Sequence, residues 1–215
     1  MVPMTPDAPA PRRRATCAAC LRPQSACICR WATPVAQPVE VLILQHPLES
    51  NNPKGSARLL HLSLPGSRLL AGEVFDVPAL LAALDAAAGP RHTLLLYPET
   101  AQDAACGLAA PPALAPALLR EPARLRLVVL DGTWRKSRKM LHLNPPLQHL
   151  PRLALRDVPA SRYRVRKAPG PDQLSTLEAT CAALARLDGG PAHFAPLLGA
   201  FDGFVAAQIA RRGPP

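Results

Sequence analysis

Leu125-Arg126-Leu127-Val128-Val129-Leu130 runs directly into Asp131-Gly132-Thr133-Trp134, and the reading of this stretch decides the fold. An apolar run that ends in a carboxylate and a glycine, and then enters helix-compatible sequence, predicts a strand with Asp131 at its carboxyl end. In open α/β sheets ligands bind outside those strand ends. Taken alone, the stretch also suits a plain strand-to-helix turn, because Asp and Gly favour turns and Thr caps helices.

Working outward, strand and helix patterns alternate. Residues 39–45, 92–97 and 150–155 read as further strands, and Asp76 caps an Ala/Leu-rich helix over 77–88. Helices are predicted over 113–119, 133–143 and 175–187, and Phe194, Leu197, Leu198, Phe201, Val205 and Ile209 form a last helical stripe. Such alternation implies an α/β fold with a mainly parallel sheet covered on both faces. No internal repeat is visible.

The chain has 215 residues, a formal charge of +10 and a calculated pI near 10.1. That length allows one sizeable core with small appendages. The charge favours a polyanionic partner. Thirteen of the 25 Lys and Arg residues fall between Arg120 and Lys167, against Glu121, Asp131 and Asp157. A solvated surface is the ordinary fate of such a block, but phosphate-backbone positioning requires the same charge pattern. No stretch approaches the roughly twenty apolar residues that span a bilayer, and no secretion signal is evident, so a cytoplasmic location and no membrane partner are expected. Aromatic residues are 4% of the chain, which argues against a sheet-based stacking platform for RNA.

Residues 1–16 are rich in Pro, Ala and Arg and read as a disordered tail. Cys17-x-x-Cys20 and Cys27-x-Cys29 follow, in a segment with little apolar mass. Four thiolates close a tetrahedral zinc site and fold a segment too short for its own core, so residues 17–30 are expected to form a structural zinc knuckle. An iron–sulfur cluster uses the same ligands and is the rival reading. Cys181 shares a helix face with Leu177 and Leu184 and reads as a small buried hydrophobe.

Three motifs in order resemble the DTW-domain family: Asp131-x-Thr133-Trp134, then Ser161-x-Tyr163-x-x-Arg166, then Ser175-Thr176-x-Glu178-Ala179. The cysteine cluster and His46-Pro47-x-Glu49, with Arg58-Leu59-Leu60 beyond it, are also similar, so the resemblance spans roughly residues 17 to 185. Many members carry an Asn-Thr pair before the Arg-Leu step, where this chain reads Lys54-Gly55-Ser56-Ala57-Arg58. The resemblance implies a SPOUT-like catalytic domain over 38–212 with a knotted C-terminal region around S-adenosylmethionine. It further implies a tRNA-uridine aminocarboxypropyltransferase, which moves the 3-amino-3-carboxypropyl group of S-adenosylmethionine to N3 of a tRNA uridine and releases methylthioadenosine.

The residues suit that chemistry in named ways. Arg166 or Arg58 fits the donor's carboxylate, because a guanidinium grips it bidentately, and Asp131 or Glu49 fits its ammonium. Uridine N3 must lose a proton, and Asp131 or Glu178 is the expected general base. Asp131 is preferred, since Ser175-x-x-Glu178 also reads as a helix capping box. Thr133 and Trp134 complete the catalytic motif, with Trp134 divided between stacking and anchoring its helix. His46, Pro98, Gly132, Ser161, Tyr163, Ser175 and Thr176 are expected around the cofactor. Arg135, Arg138, Lys139, Arg162, Arg164 and Lys167 are expected to meet RNA phosphates. The competing readings are a SPOUT-class methyltransferase, which aligns the methyl carbon instead, and a non-enzymatic zinc-knuckle RNA-binding module.

Overall fold

Side chains alternate across a strand, so a strand buried on both faces reads as one continuous apolar run. β4 (Leu125–Asp131) is such a strand, with all seven residues buried. Leu125, Leu127 and Val129 join one core cluster, and Val128 and Leu130 join a second on the opposite face. Each fully buried Val or Leu contributes about 1.5–3 kcal/mol. The computed structural model describes residues 15–85, 91–100, 103, 107–108, 110–163 and 173–211.

Around β4 lie β1 (Glu40–Gln45), β2 (Arg68–Ala71), β3 (His92–Leu96) and β5 (Arg152–Leu153). All pairings are parallel and the order is β2-β1-β4-β3-β5. The expected mixed α/β class with a parallel sheet is therefore present. Helices α1 (Pro47–Ser50), α2 (Ala57–Ser63), α3 (Val77–Asp85), α4 (Trp134–Leu143) and α5 (Pro145–Gln148) precede α6 (Thr176–Leu187), α7 (Gly190–His193) and α8 (Ala195–Ala210). Buried residues of α2, α6 and α8 cover one face of the sheet, and those of α3, α4 and α5 cover the other.

The sequence pattern missed two elements and overstated others. α2 and β2 were not predicted, being short and, for β2, half exposed at the sheet edge. The expected helix over 113–119 is a 3-10 turn, Pro116–Arg120. Pro116 removes a backbone donor and holds Ala115 extended (φ −71°, ψ 120°), so no α-helix passes through it. In the C-terminal stripe Ile209 is exposed, whereas Phe204 is fully buried.

The Cys17–Cys29 segment joins the main core. Cys20 and Ile28 are buried in the same cluster as β4, and Trp31 meets Phe204 edge-on at 5.7 Å. Thr16, assigned to the tail, bridges Pro23 and belongs to this module; residues 1–14 lie outside the described range. Two members of the basic block are also internal. Arg126 is 1% exposed and pairs with Glu40, its register partner on β1, at 3.0 Å, while Arg152 pairs with buried Asp103.

Candidate active site

The carboxyl ends of β3, β4 and β5 and the first turns of α4 and α6 enclose a cavity of about 320 Å³. Its walls are mainly apolar, including Leu96, Val129, Leu130, Leu153 and Leu155, with polar groups from Tyr97, Ser137, Tyr163, Gln173, Ser175 and Thr176. No charged side chain lines it among the described residues. At Gly132, where β4 turns into α4, a Cβ would crowd the Lys136 Cβ at 3.0 Å, so a larger residue would push Lys136 aside by a few tenths of an ångström. Thr133 then caps α4, its hydroxyl accepting from Lys136 N–H at 3.4 Å.

Asp131 sits just behind this wall, 6% exposed. One carboxylate oxygen accepts from Gln45 Nε2 at 2.8 Å and the other from the Thr176 hydroxyl at 2.6 Å. Thr176 itself faces the cavity, so it stands between Asp131 and whatever occupies that space. No sequence motif marks Gln45. It lies opposite Asp131 only because β1 pairs with β4 in that register, which no local pattern encodes.

Glu178 has a different environment. It forms the expected capping box with Ser175, and the same carboxylate accepts from the Ser161 hydroxyl at 2.8 Å and from Arg162 N–H at 2.7 Å. It thereby fastens the 161–163 segment to the start of α6. Tyr163 continues that segment, stacks on Phe201 at 5.4 Å and donates its hydroxyl to the Lys54 carbonyl.

Trp134 opens α4 at the rim of the cavity and is 47% exposed, with Tyr97 edge-on at 5.7 Å. Burial pushes the Tyr97 phenol above its ordinary pKa, and the nearby Asp103 carboxylate adds to this. Arg152 crosses the Tyr97 ring at 5.3 Å and donates to the Pro98 carbonyl at 3.1 Å. An arginine inside the apolar 150–155 stretch was the available signal for this buried support.

His46, Glu49 and Arg58 do not line the cavity. His46 caps α1: its Nδ1 accepts from Leu48 N–H, and its Nε2 donates to Glu73 at 2.9 Å. Glu73 also takes Lys139 at 2.9 Å, and these two partners, Lys139 first, hold its carboxyl below the usual range. Glu49 pairs with Lys136 at 2.7 Å. α4 therefore binds the loops after β1 and β2 through its lysines. Arg58 is half-buried on α2, with no side-chain hydrogen bond or ion pair among the described residues.

Of the residues expected to meet RNA, Arg135 is exposed, Lys139 is exposed but paired with Glu73, and Arg162 pairs with Asp202 at 2.9 Å. Arg138 turns inward to the Tyr97 hydroxyl. Arg164, Arg166 and Lys167 lie outside the described residues, between Tyr163 and Gln173, which both line the cavity.

The Sγ atoms of Cys17, Cys20, Cys27 and Cys29 all lie within 4.8 Å of one another, with contacts of 3.7 and 3.8 Å. A tetrahedral metal with bonds of about 2.3 Å to sulfur spaces its thiolates by about 3.8 Å, so the set fits one ion. Backbone N–H groups of Cys20 and Ala19 lower the Cys17 thiol to about 6. Cys181, by contrast, is pushed up to about 12 by burial, as suits a core thiol.

A crevice at the carboxyl ends of a parallel sheet, walled by the first turns of capped helices, is where open α/β proteins commonly bind ligands. The chain belongs to the DTW domain family, whose model matches residues 14–209. It is 29% identical to tRNA-uridine aminocarboxypropyltransferase 2 of Macaca fascicularis, covering 82% of this chain and 58% of that protein. The Drosophila melanogaster protein of the same name is 32% identical over 84% of this chain and 70% of its own length. tRNA-uridine aminocarboxypropyltransferase A of Arabidopsis thaliana is 30% identical, covering 65% of this chain and 55% of the plant protein. The chain thus spans between about half and 70% of the relatives it matches. No solved structure matches it. No helix among the described residues is long and apolar enough to cross a membrane.

Proposed function

We propose that the chain is an S-adenosylmethionine-dependent tRNA-uridine aminocarboxypropyltransferase. The observation that carries this reading is the cavity at the strand ends, with the three family motifs converging on its wall, in a chain similar to proteins of that name. Its apolar side suits an adenine and its polar side an amino-acid tail. Arg166, in the segment whose two flanks line the cavity, is the proposed carboxylate partner. When bound, the donor supplies a sulfonium-activated carbon that accepts the uridine nitrogen as methylthioadenosine leaves.

The residues around the acceptor would do the rest. Trp134, exposed at the rim, offers a face on which the uracil stacks. Asp131 would act as base through Thr176: the hydroxyl already donates to the carboxylate, so it can take the N3 proton while passing its own to Asp131. Glu178, committed to the capping box and the 161–163 segment, would position the wall rather than move the proton. The knotted C-terminal arrangement that the resemblance implies is part of this proposal, with α6 packed against β4 and α2. Zinc is the proposed ion of the cysteine set, because four thiolates this close bracket one metal better than a multi-iron cluster. The exposed Arg135, Lys139 and Arg162 would position tRNA by its phosphates, making affinity fall as salt rises.

The test is mass spectrometry of tRNA nucleosides after incubation with protein and S-adenosylmethionine. An aminocarboxypropyl-uridine with equal methylthioadenosine is expected. S-adenosylhomocysteine with a methylated base would replace this reading with methyl transfer.

A further inference from the structure

Arg22 lies in the cysteine module, between Cys20 and Cys27, and no motif singled it out. Its guanidinium leaves the module and donates to three carbonyls of one loop: Pro53 at 2.6 Å, Gly55 at 2.9 Å and Asn52 at 3.4 Å. Phe204 supports the same group from 5.6 Å. The turn that aims it is strained, since Leu21 adopts a left-handed φ of 59°. Cys17 and Cys20 lie just before it, and Cys17 N–H closes the turn onto the Arg22 carbonyl at 2.8 Å.

The far side of the same loop holds the cavity wall. The Lys54 carbonyl, in the middle of the three that Arg22 grips, accepts the Tyr163 hydroxyl. Ser56, the next residue after Gly55, accepts from Leu177 N–H in the first turn of α6 at 3.3 Å. Tyr163, Ser175 and Thr176 line the cavity. The loop is thus a spacer, clamped by Arg22 on one side and fixing two pieces of wall on the other.

We propose that Arg22 is a positioning residue for the donor cavity, through which the metal module sets the placement of Tyr163 and the α6 N-terminus. This rests on reading the cavity as the S-adenosylmethionine site. The geometry requires a fork: three carbonyls at different angles match a guanidinium, whereas an ammonium on a flexible stem reaches fewer of them at once.

The test uses the full chain as wild type, Arg22→Ala and Arg22→Lys. Metal content, S-adenosylmethionine affinity by calorimetry, steady-state kinetics and backbone hydrogen exchange are measured on each. Arg22→Ala should keep its metal yet bind S-adenosylmethionine about tenfold more weakly. Its KM for the donor should rise by a similar factor while kcat changes less than about twofold, as expected for lost ground-state positioning. Arg22→Lys should recover part of the affinity. Exchange should quicken at 52–56 and also at 161–163 and 175–178. If it quickens at 52–56 alone, or if Arg22→Ala binds the donor like wild type, the relay is overturned. If wild type binds no S-adenosylmethionine, the cavity assignment fails instead, and the exchange pattern still decides whether Arg22 governs the wall.

Discussion

At the scale of single residues the site divides into groups that meet a ligand and groups that hold those groups still. In the proposed mechanism Thr176 is in the first class and Asp131 is reached through it, so Thr176→Val separates shape from proton transfer. The valine fills the same space but removes the Thr176 hydrogen bond to Asp131, an expected loss of about 1 kcal/mol in stability. If the hydroxyl carries the proton, kcat falls at least about tenfold in Thr176→Val and stays near wild type in Thr176→Ser. Equal kcat in both variants would take Thr176 out of the path. Trp134 is tested by contrast with its neighbours. Trp134→Ala should weaken tRNA binding by about 1–3 kcal/mol while Trp134→Phe keeps most of it, measured by filter binding at fixed salt. A tRNA affinity indifferent to both changes would assign the indole to packing alone. The sequence made Asp131, Trp134 and Glu178 visible because each sits in a motif. It hid Gln45, which becomes relevant only through a partner 86 positions away.

At the scale of elements, β4 shows how a run that looks purely apolar can carry a charge through the core. Arg126 interrupts it, and the partner is Glu40 on the adjacent strand, which also meets Arg68 at 2.9 Å and Arg91 at 3.4 Å. Burial alone would raise the Glu40 carboxyl, but Arg126 and Arg68 outweigh it and hold the group below its ordinary range. A carboxyl that is harder to protonate when folded stabilises the native state above its unfolded pKa of about 4.3. That contribution is lost as pH falls through the lower native value. Glu40→Gln should cost about 3–5 kcal/mol at pH 7, because it strands a buried guanidinium. It should also flatten the acid limb of stability, which urea titrations at pH 7 and between about 3 and 5 would show. An unchanged acid limb would mean that other carboxylates govern it. The long periodic elements were legible for the same reason that they are stable: β4 and α6 have their apolar residues on the buried faces. β2 was not, since four residues at a half-exposed edge carry too little pattern.

On the scale of the whole molecule, the parts that sequence reading separates are physically joined. The cysteine module was read as an appendage on 17–30, yet Cys20, Ile28 and Trp31 pack into the core that also holds α8. If the cysteine set holds the proposed zinc, removing it with a strong chelator should therefore lower the melting temperature of the entire domain in one transition, followed by circular dichroism of the helices. Two separate transitions would restore the appendage view. The basic block was likewise only partly a surface: Arg126 and Arg152 are core ions, and Arg138 turns inward, because position in the chain says nothing about which face of an element a charge occupies. The strand order has a consequence for how this chain is born. β4 lies between β1 and β3, both made before it, so a nascent chain that ends short of residue 125 holds the β1–β2 pair with an open edge and β3 with no strand to pair with. Collapse onto the native topology must wait for β4 to leave the ribosome, and in that interval the unpaired strand edges are open to aggregation.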